Sequence, residues 1–195
     1  MTAGSGIMHE EFQSEEFAGK GGVFQMVQLW VNLRAQDKNT EPHYQNLLRA
    51  QIPVVALPNE AGTLRVIAGE YGGGKGPAKT FTAINLWDVS LRSGKSAELP
   101  LPDGHTSAFL VLSGEIAVNG QANATECDLA IFARAGNGIN ITARKDARLL
   151  VMDGEPIDEP VAGRGPFVMN THAEIQQAFE DYQRGRMGAI PVAIT

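Results

Sequence analysis

Cysteine is nearly absent: Cys127 is the only one in 195 residues. A lone thiol excludes an intrachain disulfide framework and fits a reducing compartment. A Lys/Arg-rich stripe is missing too. With a net charge of −6, the chain has no electrostatic footprint for direct binding to nucleic acid or to an anionic membrane. No stretch approaches about 18 consecutive apolar residues, and no basic segment leads into an apolar run near the first residue. A membrane span and a secretory leader are therefore not expected, and a cytoplasmic protein is.

The bulk composition that remains is ordinary. Hydrophobic residues make up 43% and charged ones 19%, as in water-soluble globular proteins, and the 22 glycines favour turn-rich β structure. A chain this long buries a full core, as one large domain or as one domain plus part of another.

Pattern carries more than composition. Val27, Leu29, Val31 and Leu33 alternate with Gln28, Trp30 and Asn32, which predicts a half-buried strand. Residues 34–40 are polar and break it. Thr40-Glu41-Pro42 can then cap a brief turn or helix through Leu48. Residues 52–57 and 64–68 predict a hairpin around the turn signal at 58–62. The stretch GEYGGGKG at 69–76 nearly matches a phosphate-binding loop. Gly76 stands where that loop needs a hydroxyl, and residues 77–81 read as extended rather than helical. A flexible loop is expected there, not a nucleotide site.

From residue 82 the strands are short and regularly spaced. Ile84 and Leu86 alternate with Asn85 and Trp87; residues 108–112, 116–118, 129–133, 138–143 and 148–153 follow, and Asn119-Gly120 is a hairpin turn of the kind that needs positive φ. Turns every 8 to 12 residues or so indicate an all-β sandwich or barrel. Beyond Pro160, Thr171 and Glu174 form a capping box ahead of Ile175, Ala178, Phe179 and Tyr182 at helical spacing, with Gly185 as the stop. That apolar stripe must cover a sheet face or the amino-terminal segment.

Chemistry is concentrated near the start. In an extended backbone His9 and Glu11 point to the same side, offering nitrogen and oxygen donors to Fe, Mn, Co, Ni or Zn. Two donors alone seldom hold a metal; three or four are needed. Taken alone, the pair also fits a solvated acidic patch with Glu10, Glu15 and Glu16. His105 reads as a loop residue, His43 and His172 as solvated or capping residues. Cys127 reads as a small core residue, since no basic neighbour activates it as a thiolate.

A cupin-like strand pair and three further motifs give the chain a family likeness. Pro100-Leu101-Pro102-Asp103-Gly104-His105 followed by VLSGEIAVNG at 111–120 looks like the strand pair of a cupin barrel. With QLWVNL at 28–33, TEPHYQ at 40–45 and GPFVMNT at 165–171, it resembles the pirin family over about 170 residues. The resemblance implies a bicupin: two jelly-roll barrels, of which the amino-terminal one holds a non-haem metal, usually iron, through three histidines and one glutamate. Family members are discussed as quercetin 2,3-dioxygenases and as regulatory cofactors.

Carried over residue by residue, the motif Gly6-Ile7-Met8-His9-Glu10-Glu11 makes His9 and Glu11 the trailing ligand pair. The leading His-x-His pair has no counterpart here. On this reading residues 1–50 are a remnant of the amino-terminal cupin domain, 51–160 the carboxyl-terminal cupin barrel, and 161–195 a tail with an amphipathic helix: an all-β fold with a carboxyl-terminal helix and a partial second barrel. The resemblance implies Fe(2+) or another divalent transition metal in a complete site, none in this chain if the site stays incomplete, and a flavonol-type substrate bound beside O₂. Glu11 would serve as ligand or, swung away, as base. A 195-residue chain lacking half its ligands is expected to be inactive. The alternative is a catalytically silent regulatory module that binds a protein partner. Unpaired barrel strands are expected to self-associate or to leave the first 50 residues least ordered.

Overall fold

The computed structural model describes residues 1–190. Two helices, α1 (Glu15–Lys20) and α2 (His172–Gln183), flank the strands β1 (Val54–Ala56), β2 (Gly62–Ala68), β3 (Glu70–Tyr71), β4 (Gly74–Lys75), β5 (Ile84–Leu91), β6 (Ser96–Pro100), β7 (Thr106–Ser113), β8 (Glu115–Val118), β9 (Ala122–Thr125), β10 (Leu129–Ile131), β11 (Gly138–Ala143), β12 (Ala147–Gly154), β13 (Ala162–Arg164) and β14 (Phe167–Met169). They fall into two compact units: Gln45–Pro156, and Met1–Tyr44 together with the chain from Ile157 onward.

The larger unit is a double-stranded β-helix sandwich. One sheet runs β1-β2-β5-β12-β7-β10 and the other β6-β11-β8-β9, every pairing antiparallel. Period-two alternation sets the inner faces: Trp87 and Val89 of β5, Phe109 and Val111 of β7 and Leu149 and Val151 of β12 pack in one core with Ile116 of β8 and Ile139 and Ile141 of β11. Each such side chain contributes about 1.5–3 kcal/mol by leaving water. On the outer face Arg65 and Arg148 each reach the Asp88 carboxylate at 3.0 Å.

Turn chemistry fixes the register. Asn119 and Gly120 have φ of 51° and 65°, the left-handed pair that closes a two-residue hairpin. Gly114, at φ +88°, separates β7 from β8; a Cβ there would lie 2.1 Å from the Asp146 carbonyl oxygen. The segment 69–76 is a tight hairpin, β3 against β4, rather than a flexible loop, because Gly72 and Gly73 supply the positive φ of its turn.

In the smaller unit β13 and β14 form a ribbon that α2 covers. Ile175 is buried, and the Phe179 ring meets Phe167 edge-on at 4.9 Å with the Arg164 guanidinium 5.7 Å above it. The capping box forms as the sequence predicts: the Thr171 hydroxyl accepts from the Glu174 amide at 3.2 Å while the Glu174 carboxylate accepts from the Thr171 amide at 2.7 Å.

A polar knot ties distant segments of this unit together. The ammonium of Lys38, a residue only 5% exposed, donates to Asn32 Oδ1 at 2.6 Å and to the Val168 carbonyl at 3.3 Å. Nearby, Glu159 accepts from the Ala35 amide at 2.7 Å and from Asn170 Nδ2 at 3.1 Å.

Three further expectations fail. Residues 27–33 are not a strand: among the described residues no strand ladder includes them, and Leu29, Trp30 and Val31 are exposed. Alternation makes a strand only where a ladder partner satisfies the backbone. Residues 42–48 form no helix; short 3₁₀ turns stand at Ala35–Asp37 and Arg49–Gln51 instead, and His43 forms an antiparallel bridge with Thr2. Cys127 is exposed rather than core, in the turn before β10 with φ 70°. Its placement follows from that turn, where its amide donates to the Val111 carbonyl.

Candidate functional site

The first residues are held in place before any functional group is reached. Thr2 and His43 exchange backbone hydrogen bonds at 2.8 and 3.1 Å, Ser5 donates to the Thr40 carbonyl at 2.9 Å, and Met8 donates to the Met187 carbonyl at 2.9 Å. Gly6 makes the last of these contacts feasible: it sits at φ +116°, and a Cβ would lie 2.5 Å from Met187 Cγ. Beside this crossing lies a cavity of about 300 Å³ lined by Met8, Tyr182 and Met187.

His9 and Glu11 follow directly. Their side chains come together, Nδ1 to Oε1, at 4.0 Å, with the imidazole one-third exposed and the carboxylate two-thirds exposed. Two cis ligands on a first-row metal with bonds near 2.1 Å stand roughly 3–3.5 Å apart, so a small adjustment would let both reach one ion. The donor types suit a borderline metal. Their number does not: among the described residues no group of three or more His, Cys, Asp or Glu side chains is placed to hold one. His43 is engaged with Thr2 Oγ1 at 3.4 Å and the Glu41 carbonyl at 3.2 Å, and His172 opens α2.

A second cluster lies in the sandwich. His105 precedes β7, as a loop residue should, yet its Nδ1 lies 3.1 Å from Asp153 Oδ1 and its side chain is mostly buried. Asp153, with no side-chain exposure, also accepts from Ser107 Oγ at 2.8 Å and from Asn85 Nδ2 at 2.8 Å. Register explains the convergence: Asp153 on β12 stands opposite Ser107 on β7 and Asn85 on β5. Three donors around one carboxylate satisfy a buried charge that would otherwise be costly. Nothing local in the sequence announces this grouping, whose three donors lie 46 to 68 residues from Asp153.

Electrostatics elsewhere follow burial and hydrogen bonding. Burial lowers the Lys38 pKa against the opposing pull of Glu159 and Glu174. The hydrogen bond from the Thr171 hydroxyl holds the Glu174 carboxyl below its ordinary value, helped by the Thr171 and Asn170 amides and by Lys38. No helix is long and apolar enough to cross a membrane among the described residues.

Residues 86–188 match the family of the pirin C-terminal cupin domain. A Pseudomonas aeruginosa protein named as a candidate quercetin 2,3-dioxygenase is 52% identical over 186 residues, covering 95% of this chain and 65% of that protein. Pirin of Homo sapiens is 36% identical, over 96% of this chain and 64% of its own length. The crystal structure of an Acinetobacter baumannii quercetin 2,3-dioxygenase superposes with a TM-score of 0.93 at 46% identity, over 97% of this chain and 66% of that one. The chain thus spans about two thirds of the length of these relatives.

Proposed function

Because the chain belongs to the pirin family of cupin proteins, we propose that His9 and Glu11 are two ligands of a divalent-metal centre, iron in the first instance. On this reading the centre serves dioxygenase-type oxidation of a flavonol-type substrate, and its remaining donors come from outside the described residues. The observation that carries the proposal is the convergence of His9 and Glu11 at 4.0 Å on a segment that Gly6 and Met187 hold in place. Relatives named for quercetin 2,3-dioxygenase activity support the reaction class. Glu11, the more exposed of the two, is the group free to leave the pair and accept a proton. In the same reading residues 51–160 are the carboxyl-terminal cupin barrel, residues 1–50 the counterpart of the end of the relatives' first cupin domain, and 161–195 the tail; the protein acts in the cytoplasm.

Elemental analysis of the purified 195-residue chain tests the ligand count. With two donors, iron is expected well below one equivalent after dialysis, and quercetin is expected to induce no O₂ uptake. One equivalent of iron that survives His9→Ala and Glu11→Ala would overturn the assignment of these residues. One equivalent lost in both variants would keep them as ligands and overturn the incomplete donor set.

A second reading is favoured by a specific observation: Phe24, Met26, Leu29, Trp30 and Val31 expose apolar surface along one short segment. Contiguous apolar surface of this kind marks association sites. In this reading the chain is a catalytically silent interaction module that engages a protein partner or its own copies through that segment.

A further inference from the structure

We propose that a polar island on the outer face of the large sheet, centred on Arg65 and Arg148, binds a phosphate group, free or as a monoester. This inference is independent of the metal assignment, since every residue it uses belongs to the sandwich.

Alternation and register build the island. Leu64, Val66, Trp87, Val89, Leu149 and Val151 belong to the core, so their neighbours Thr63, Arg65, Asp88, Ser90 and Arg148 on β2, β5 and β12 face outward. Thr63 stands opposite Ser90, Ser90 opposite Arg148, and Arg148 opposite Ser113 of β7. Hydroxyls and a guanidinium thus form one cross-strand row, on strands spaced about 4.8 Å apart. Arg65 and Asp88 stand opposite each other in the adjoining row.

Charge gives the island its sign. Both guanidiniums converge on the same atom, Asp88 Oδ2, at 3.0 Å each, and among the described residues no other carboxylate pairs with either. One carboxylate therefore answers two positive charges. Asp88 lies beneath, its side chain only 9% exposed, while that of Arg148 is 46% exposed and that of Arg65 27%. The excess charge is thus presented to solvent. Arg65 spends only Nη1 on Asp88, and Arg148 spends Nε, at 3.4 Å, and Nη2. The acids nearest in sequence to Arg148 and Ser113 are occupied elsewhere: Asp146 accepts from the Ser93 amide at 2.8 Å, and Glu115 pairs with Lys145 at 3.1 Å.

The donors left over define the ligand. Forked guanidinium N–H groups match the oxygens of a phosphate. The Thr63, Ser90 and Ser113 hydroxyls have no hydrogen-bond partner among the described residues, and none is sealed from solvent. Each can donate to a further phosphate oxygen. A cation would meet net positive charge, and a neutral molecule would leave that charge unanswered. Val54, opposite Arg65 on β1 and 61% exposed, offers an apolar rest for the organic group of a monoester.

Calorimetric titration of the chain with inorganic phosphate and with phenyl phosphate, at low ionic strength, tests the proposal. One saturable site is expected for both; tighter phenyl phosphate assigns it to a monoester, equal affinity to free phosphate. Arg148→Gln, at a half-exposed position, is expected to weaken phosphate about tenfold or more, the size of one hydrogen-bonded contact to a charged group. Ser90→Ala should weaken it about threefold, the size of one neutral hydrogen bond. Lys145→Gln, which removes a cation paired outside the island, should leave the affinity unchanged. The amide spectrum verifies the fold of each variant, and should Arg148→Gln not fold, Arg65→Gln takes its place. Absence of saturation in the millimolar range, undiminished binding in both the arginine and the serine variant, or equal weakening by Lys145→Gln would each overturn the site.

Discussion

Replacing Lys38 with methionine removes an ammonium while nearly preserving length, and the result tests whether the polar knot holds the smaller unit together. The variant loses a short donor to Asn32 Oδ1, at 2.6 Å, and a longer one to the Val168 carbonyl, at 3.3 Å. A hydrogen bond to a charged group is worth about 1.5–3 kcal/mol, and leaving its acceptor buried without a partner adds to the loss. Against this, burial opposes the charge: it is the dominant influence on Lys38, stronger than the attraction of Glu159 and Glu174. Relief of that cost offsets part of the loss, so a net destabilisation of about 2 kcal/mol is expected near neutral pH. The pH dependence has a definite sign. A lysine whose folded pKa is lowered weighs against the fold fully below that folded value, and the penalty fades as pH rises toward the ordinary value of 10.5. Wild type should therefore gain stability with rising pH through that window and the methionine variant should not, so their difference should widen. Native-state hydrogen exchange of the α2 and β14 amides reads the unit directly. A variant as stable as wild type near neutrality, as happens when a buried ion is replaced by an apolar isostere, would refute the reasoning.

Other expectations follow from the same structure. Thr171→Ala should cost about 1 kcal/mol by removing the cap of α2, measured by urea denaturation. Because Glu174 is held below its ordinary pKa chiefly by that hydroxyl, its contribution is present above the ordinary glutamate value and is lost as pH falls through the depressed one. Acid titration of wild type against Glu174→Gln should show the wild-type advantage disappearing there; an advantage that grows on acidification would contradict it. Phe109→Ala, at a fully buried position beside Phe132, should cost about 3–5 kcal/mol, read as a fall in the denaturation midpoint of the sandwich. If residues 24–31 mediate self-association, light scattering should show a mass above the monomer that Leu29→Lys reduces; a monomer in both cases removes the segment from consideration.

What was legible in the sequence was local. Asn119-Gly120, the capping box of Thr171 and Glu174 and the alternation of residues 138–143 are each specified by a few adjacent side chains, and each stands where the pattern places it. The two-residue spacing of His9 and Glu11 likewise brings the two side chains together. What escaped depended on partners far along the chain. Lys38 sits in a polar stretch that reads as a solvated break, yet it is buried because Val168, 130 residues later, and Asn32 supply its acceptors. His105 gained its carboxylate partner only through the pairing of β7 with β12. Residues 27–33 show the converse: a sound strand pattern that no strand ladder takes up among the described residues.

The strand order of the large sheet has a consequence in time. β12, the last strand of the sandwich to be synthesised, sits between β5 and β7. Until residues 147–154 leave the ribosome, β2 with β5 and β7 with β10 are two separate pieces with no shared seam. At about 5–20 residues per second this exposure lasts for seconds. Those pieces carry Trp87, Val89, Phe109 and Val111 on faces meant for the core, so the nascent chain passes through its stickiest state just before its keystone strand arrives. Premature termination within residues 120–146 should therefore yield insoluble fragments rather than a smaller soluble domain, because closure of this sheet is a final event.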